Sequence, residues 1–500
     1  MKPSFQVFLL ALLFNAILPL QRVNGQNATS SKFYDSITYH YYSLGNWPYV
    51  IQYGKEALKN GNDYYYLRMR LGAAYYEQGN YRAAGRNYSK ALIFNSGDSY
   101  ARVGNYYSYL NLGNRDQASV IASKLSPGTK KSLDIRANSF LDFVYLESGY
   151  SPSSGQGHTG MELTGPDSIY GEEDLQKDLF YTHFGGRIRI MPSLSVFAGF
   201  TRLNINKEKR VGYSTVHARR DSVVDFTFWK EYYYSFQKQF TDSVLPYKVS
   251  QSDFYVNAAF IPAQGWKITP ALHHFQVQYM KTVSAFSSGT ASDTAYYLTA
   301  DNSWHLFDYS TTTYNIQQKD TSFRNFAASL GISREMGNFT LELYGSLSDF
   351  NRKRQSQFGT SISWYPLGNA NLYSTTSAVS VFNERKQRMV YEQSLGFKVI
   401  RNAWLTGFAT LGNLDLYNEK NAYIVYNQPD PILFRCGMDF QYFIGKHVEI
   451  GLMYRFYRKE FQKLAYARAS SVELGTVMVS VISKELYSNQ TIIGGLKWKF

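Results

Sequence analysis

The first residues to test for chemistry in this 500-residue chain are its eight histidines. A hydroxyl or thiol nucleophile needs a general base within hydrogen-bonding reach, and imidazole is the usual one. His158, His183, His217, His273, His274 and His305 fall in no recognisable catalytic spacing. His273 and His274 are adjacent in a segment of strand character, so their rings point to opposite faces and cannot share one site. Ser154-Gly155-Gln156-Gly157-His158 brings a serine near a histidine, but in a glycine-rich loop that would hold neither in place. The single cysteine, Cys436, can form no internal disulfide, and its phase places it on an apolar face. Neither an enzyme, a metal nor a cofactor is expected.

A second set of capable residues is charged and periodic. Arg435 and Asp439 alternate with Ile432, Phe434, Cys436, Met438, Phe440 and Tyr442. Glu449 and Arg455 alternate with Val448, Ile450, Leu452, Tyr454 and Phe456, and Lys497 and Lys499 with Leu496, Trp498 and Phe500. Arg187 and Arg189 fall in the same phase of an earlier segment, as do Glu392 and Lys398. A period of two puts the charges on one face of a strand and the apolar residues on the other. If the apolar face meets lipid, the charges line a lumen. Paired across strands they would close it; facing water they would select by charge, with a preference for anions.

The elements that position these residues read as a transmembrane β-barrel. The chain is 17% aromatic yet slightly polar in mean hydropathy (−0.34), as expected where only alternate residues need be apolar. After residue 25 no run of 18 apolar residues remains, so any membrane span must be a closed barrel. Alternation begins near Ile135. Short turns at Met191-Pro192-Ser193, Pro262-Ala263-Gln264-Gly265, Met336-Gly337-Asn338, Pro366-Leu367-Gly368-Asn369, Arg401-Asn402 and Gly445-Lys446 alternate with longer polar connections near 150–177, 207–248, 283–320, 417–430 and 462–487. The short turns are assigned to the periplasmic side and the long connections outward. The count predicts about 14 strands, range 12–16, with 472–483 an extra strand or part of a hairpin. A soluble β-sandwich or propeller is the alternative fold.

Before the barrel the period is helical. Lys2, an apolar run from Phe5 to Leu20, and Val23-Asn24-Gly25 have the pattern of a signal peptide over residues 1–25. Gly45, Gly79 and Gly113 then recur every 34 residues, each after a tyrosine four positions earlier (Tyr41, Tyr75, Tyr109) and each followed by asparagine. The middle copy, with Leu71, Gly72, Ala74, Tyr75, Gly79, Tyr81, Ala84, Tyr88 and Ala91, resembles a tetratricopeptide repeat. This resemblance implies a helical solenoid over residues 26–130, with Tyr41, Tyr75 and Tyr109 as a binding surface for a periplasmic protein or polymer. The expected fold class is therefore α + β in two domains: a short helical solenoid, then an antiparallel barrel over 131–500.

The final strand, ending on Trp498-Lys499-Phe500, resembles the signal read by the outer-membrane assembly machinery. Repeats followed by a barrel resemble the YaiO-like proteins and the exopolysaccharide-export porins, which implies a channel or exporter of the cell outer membrane. The Asp-Ser/Thr triplets, such as Asp221-Ser222-Val223, resemble O-glycosylation sites of Bacteroidota. The basic residues behind the net charge of +14 are scattered, which argues against nucleic acid and is compatible with lipopolysaccharide or other anionic partners. Three functions are open: a channel whose repeats recruit a substrate or partner, a closed barrel anchoring a repeat scaffold, and an outer-membrane acyl hydrolase.

Overall fold

The computed structural model describes residues 28–135, 140–153, 168–225, 230–298, 304–383, 386–427, 430–468 and 478–500. The expected signal segment, the Ser154–His158 loop and the first half of 472–483 lie outside them. The chain divides into two units, Met1–Asn114 with Lys124–Leu133, and Arg115–Ser123 with Asp134–Phe500.

The first unit holds helices α1 (Ala28–Ser43), α2 (Trp47–Lys59), α3 (Tyr65–Glu77), α4 (Tyr81–Phe94) and α5 (Ser99–Asn111), while α6 (Arg115–Ser123) belongs to the second unit. A short α7 (Pro127–Ser132) returns to the first. The 34-residue period is a repeated turn. Gly45, Gly79 and Gly113 adopt φ of +66°, +72° and +73°. The amide of the following asparagine donates each time to the carbonyl five residues back, that of Tyr41, Tyr75 or Tyr109. Asn80 caps α4 by accepting from the Ala83 amide, and Asp98 caps α5 by accepting from Tyr100 and Ala101. Ala57, Ala84, Ala91 and Ala101 are fully buried, and a Cβ on Gly72 or Gly104 would collide with the Tyr88 ring. Small residues thus set the helix spacing and Tyr88 fills it. Tyr109 is only 7% exposed, and Tyr41 stacks on Tyr49 and Tyr53. Tyr109 therefore packs between helices and, unlike the expected binding surface, offers no ring to a partner.

The second unit is a closed antiparallel barrel. Its strands are β1 (Leu141–Ser151), β2 (Ser168–Met191), β3 (Leu194–Asp225), β4 (Lys230–Phe260), β5 (Trp266–Leu298), β6 (Trp304–Met336), β7 (Phe339–Phe350), β8 (Lys353–Trp364), β9 (Leu372–Asn383), β10 (Lys386–Ile400) and β11 (Ala403–Leu411). A small hairpin, β12 (Tyr417–Glu419) and β13 (Ile424–Tyr426), precedes β14 (Ile432–Ile444), β15 (Val448–Arg468) and β16 (Met478–Lys499). Each strand pairs with its sequence neighbour, β11 pairs with β14, and β16 closes on β1, making 14 barrel strands. All six predicted short turns connect strands at one end.

The outward face is apolar and the inward face polar, the reverse of a soluble protein. Ile492, Leu496 and Trp498 of β16 are 59%, 52% and 47% exposed, whereas lumen-facing Arg435 and Glu449 are buried. Leu343 and Leu347, Phe358 and Ile362, Leu395 and Phe397, and Met438 and Phe440 continue the outer band. Such a face is stable against lipid rather than water. The soluble-sandwich alternative is thereby replaced by a closed barrel.

Two sequence expectations are corrected. The polar connections 207–248 and 283–320 are mostly strand: β3 and β4 pair to Asp225–Lys230, and β5 and β6 pair to Leu298–Trp304. At about 3.3 Å per residue the 32 residues of β3 span roughly 100 Å, far beyond the approximately 30 Å of hydrocarbon. Outside lipid a paired strand needs no apolar face, so the periodic signal vanishes while the ladder continues. In the same way 462–468 continue β15 and 478–487 continue β16, and Leu464–Ala467 also pair with β2. The second correction concerns the connection expected at 417–430, whose residues 417–427 fold inward.

Candidate functional site

After β11 the chain turns at Gly412 and enters the lumen. Gly412 has φ +123°, and a Cβ there would lie 2.6 Å from the Met389 carbonyl oxygen. Gly412→Ala should therefore lower thermal stability by roughly 2 kcal/mol or more, from a left-handed backbone plus a clash, read as a shift in the melting temperature of the purified barrel. The inserted segment carries apolar residues that solvent would not favour. Leu414, Tyr417 and Tyr426 pack with Val379, Val381 and Val390 on β9 and β10. Leu416 and Ala422 pack with Phe275, Ala327 and Phe350 on β5, β6 and β7. Tyr423 joins Phe197, Tyr255 and Ala271 on β3, β4 and β5. One connection thus touches walls all around the barrel and occupies its interior.

Polar contacts fix this plug. Glu419 receives the Arg435 guanidinium on both oxygens, each at 2.8 Å, and Arg435 also reaches Glu392 at 2.6 Å and Thr410. The Tyr426 hydroxyl is a further partner of Arg435, and the guanidinium lies 4.8 Å over the Phe408 ring. At the hairpin tip Lys420, Asn421 and Ala422 take φ of +52°, +57° and +62° in succession. Three non-glycine residues in this region cost on the order of 1–2 kcal/mol each. The tip is held by the wall: Tyr255 donates to the Asn421 carbonyl at 3.2 Å, His273 Nδ1 to that of Ala422 at 2.7 Å, and Asn421 Nδ2 to Glu342 at 3.3 Å.

The charged residues expected to line the lumen face inward, most of them in ion pairs. Asp439 pairs with Arg455, whose guanidinium also lies 4.8 Å from the Phe408 ring centroid. Glu449 takes Lys497 at 3.1 Å and Lys499 at 2.7 Å. Lys398 lies 4.8 Å over the Trp404 ring. Arg187 and Arg189 form a different assembly at the short-turn end, where α6 brings Asp116. Asp116 Oδ1 and Oδ2 each lie 2.5 Å from Arg187 Nη2, and Oδ1 lies 3.1 Å from Arg189. Asp142 of β1 adds a second carboxylate, 2.7 Å from Arg189. Gln117 of α6 donates to the Trp266 carbonyl at 3.1 Å. Trp498 and Phe500, by contrast, face outward.

Between the plug and strands β1–β5 and β14–β16 lies a cavity of about 700 Å³. Its wall carries Tyr145, His183, Phe197, Asp253, Tyr255, His273 and Tyr423. His183 sits between Thr201 Oγ1 (2.7 Å) and the Tyr145 hydroxyl (2.6 Å), and Tyr145 meets Tyr423 of the plug. His274 points to the opposite face from buried His273, as the strand phase requires. Among the described residues no group of three or more His, Cys, Asp or Glu side chains could hold a metal.

Glu419, Tyr423, Tyr426 and Asp116 escaped sequence reasoning. A signal for the first three existed: 414–426 contains Leu414, Leu416, Tyr417, Tyr423, Ile424 and Tyr426, too apolar for a solvent loop. Asp116 carried none, because an acidic residue in a helix's first turn is common on dipole grounds alone.

No family model matches the chain, and no curated protein matches it. Solved structures similar to it include a TodX deltaS2S3 mutant monoaromatic hydrocarbon channel, at 7% identity, covering 72% of this chain and 91% of that one, with a TM-score of 0.38. A Pseudomonas aeruginosa FadL homologue is 8% identical over 72% of this chain and 90% of that one, TM-score 0.36. A bacterial polysaccharide outer membrane secretin is 9% identical over 72% and 99%, TM-score 0.31. The fold assignment itself rests on the strand pairing.

Proposed function

We propose that this protein is an outer-membrane channel held closed by its own β11–β14 connection, with helical repeats on the periplasmic side that recruit a protein or polymer partner. The observation that carries the reading is the plug. A barrel serving only as an anchor can fill its lumen with paired wall residues, whereas here a separate segment, in strained backbone, supplies the obstruction. Separate segments can leave. The lipid-facing band and the cationic charge balance suit a bilayer bearing lipopolysaccharide. The repeats, tetratricopeptide-like in their 34-residue turn and small-residue packing, suit a recruiting role. No step of this reading needs catalysis.

Leu411 pairs with Phe434, so a short glycine turn can replace 413–431 and leave a continuous hairpin. The wild-type chain in a planar bilayer should conduct little, and the replacement variant should show discrete openings. It should favour anions, since Arg435 then keeps Glu392 but loses Glu419; reversal potentials in a salt gradient read this directly. A folded but silent variant would leave the anchoring scaffold as the better reading. Deleting 28–114, which spares α6, should preserve conductance and abolish partner recruitment.

A further inference from the structure

We propose that the tip of the β7–β8 hairpin, with Arg324 of β6, binds the phosphates of a bisphosphorylated lipid headgroup in the outer leaflet. This rests on the outer-membrane part of the reading above, with the short turns periplasmic, and is independent of the plug. Position comes first. β7 and β8 have 12 residues each. At about 3.3 Å per residue and a tilt of about 45° they rise roughly 28 Å, the thickness of the hydrocarbon and no more. Their tip therefore lies in the headgroup layer, unlike the tips of β3 to β6. The lipid-facing residues directly below it, Phe326, Leu347 and Phe358, are 46%, 67% and 58% exposed.

The tip is cationic where the wall beneath it is apolar. Phe350 pairs with Lys353, so Asn351 and Arg352 form the whole two-residue loop. The Asn351 amide donates to Asn325 Oδ1 at 2.7 Å, which ties the loop to β6 beside Arg324. Arg324 and Arg354 share the outward phase of Phe326 and Phe358 on the two strands that flank β7. Two strand spacings and one row of offset put their Cα atoms roughly 12 Å apart. Arg324, Arg352 and Arg354 are all exposed, and among the described residues none makes an ion pair. One carboxylate, Asp349, lies opposite Arg354 in the same row, so three cations face a single anion. Cations left at the edge of the hydrocarbon are stable when headgroup anions meet them.

The backbone adds an independent sign. Asn351 and Arg352 take φ of +53° and +66°, as in a type I′ turn, which prefers Asn-Gly. Arginine thus occupies a glycine position at a cost in stability, and its one partner among the described residues is the Phe323 ring at 5.8 Å. Strain retained for so little packing points to a use for the guanidinium. A guanidinium takes phosphate oxygens in its planar fork, and several of them spread over this span suit a headgroup with more than one phosphate. A zwitterionic headgroup brings its own ammonium, which these cations would repel. Free phosphate has no acyl chains to lie on the apolar band below.

The test is native mass spectrometry of the delipidated full chain in a non-ionic detergent. The probes are bisphosphorylated lipid A, the same lipid after phosphatase treatment, phosphatidylethanolamine and inorganic phosphate. The bisphosphorylated lipid should be retained, and removing its phosphates should weaken binding at least tenfold. Arg324→Gln and Arg354→Gln should each weaken it about tenfold, the loss of one charge-assisted hydrogen bond. Arg352→Gly should weaken it too while raising the melting temperature, because it creates the Asn-Gly pair that the turn prefers. An arginine kept for structure alone would not give both. Equal retention of the dephosphorylated lipid or of phosphatidylethanolamine overturns the proposal, as does inorganic phosphate binding as tightly as the lipid. Undiminished binding by all three folded variants overturns it as well. Phosphate-dependent retention by a protein whose plug-replacement variant stays silent would sink the channel reading alone; conductance without such retention would sink this one alone.

Discussion

Arg435→Leu should release the plug and cost about 3–5 kcal/mol of stability, the largest effect expected of any single substitution in the barrel. The arginine is 3% exposed and is the common counter-ion of Glu419 on the plug and Glu392 on the wall. Leucine fills the volume but removes the shared cation from buried Glu419 and part-exposed Glu392, leaving them only the Tyr426 and Thr410 hydroxyls, so Glu419 must take up a proton or reach water. Glu419 can reach water only if the hairpin leaves. The variant should melt earlier, conduct in a bilayer, and expose Lys420 to trypsin. Arg435→Lys should fall between, because an ammonium cannot hold both Glu419 oxygens and Glu392 in the planar fork that guanidinium provides. Glu419→Gln should be milder still, since Arg435 keeps Glu392 and Thr410. A protein with Arg435→Leu that stays closed, protease-resistant and as stable as wild type would show that apolar packing alone retains the plug.

Asp116→Ala should detach α6 from the short-turn end of the barrel at a cost of roughly 2–4 kcal/mol, discounted for partial exposure of Arg187. Two arginines then share one carboxylate, Asp142, and the Ser195 and Gln117 contacts lose their anchor. Hydrogen exchange over 115–123 should rise from protected to fully exchanging, while β1 and β2 stay protected. The contribution is pH-dependent with a defined sign. Burial pushes the Asp116 carboxyl up, and Arg187 with Arg189 pulls it further down, so the net position is below its ordinary value. A depressed carboxylate stabilises the folded state at pH values above its unfolded pKa of about 3.9 and loses that contribution as pH falls further. The stability difference between wild type and Asp116→Ala should therefore be flat from about pH 5 to 8 and shrink only below about pH 4. A difference that changed across neutral pH would locate the effect in another group.

The strands that cross lipid were legible because the rule that shapes them is local. Alternate residues must be apolar where hydrocarbon lies outside, so Ile492, Leu496 and Trp498 announce their face, and Arg435, Asp439 and Glu449 announce the other. The glycine turns were equally legible: Gly79 takes a left-handed φ so that two helices can reverse across three residues. Beyond the lipid that rule lapses. Polar residues of β3 to β6 read as loops, although a continuous register pairs them.

The plug shows the deeper limit. Tyr417, Glu419 and Tyr423 sit in a connection whose length and turn residues suit an outer loop, and no period marks them. Their destination depends on Arg435 and the valines of β9 and β10, and on Tyr145, far away in the chain, all of which the closed wall brings to one place. The sequence by itself determined the barrel, its phase and its 34-residue helical repeat, because each follows from neighbours in the chain. Tertiary structure alone decided that the lumen is occupied and that α6 joins the barrel, because burial and hydrogen-bond partners are properties of the closed cylinder.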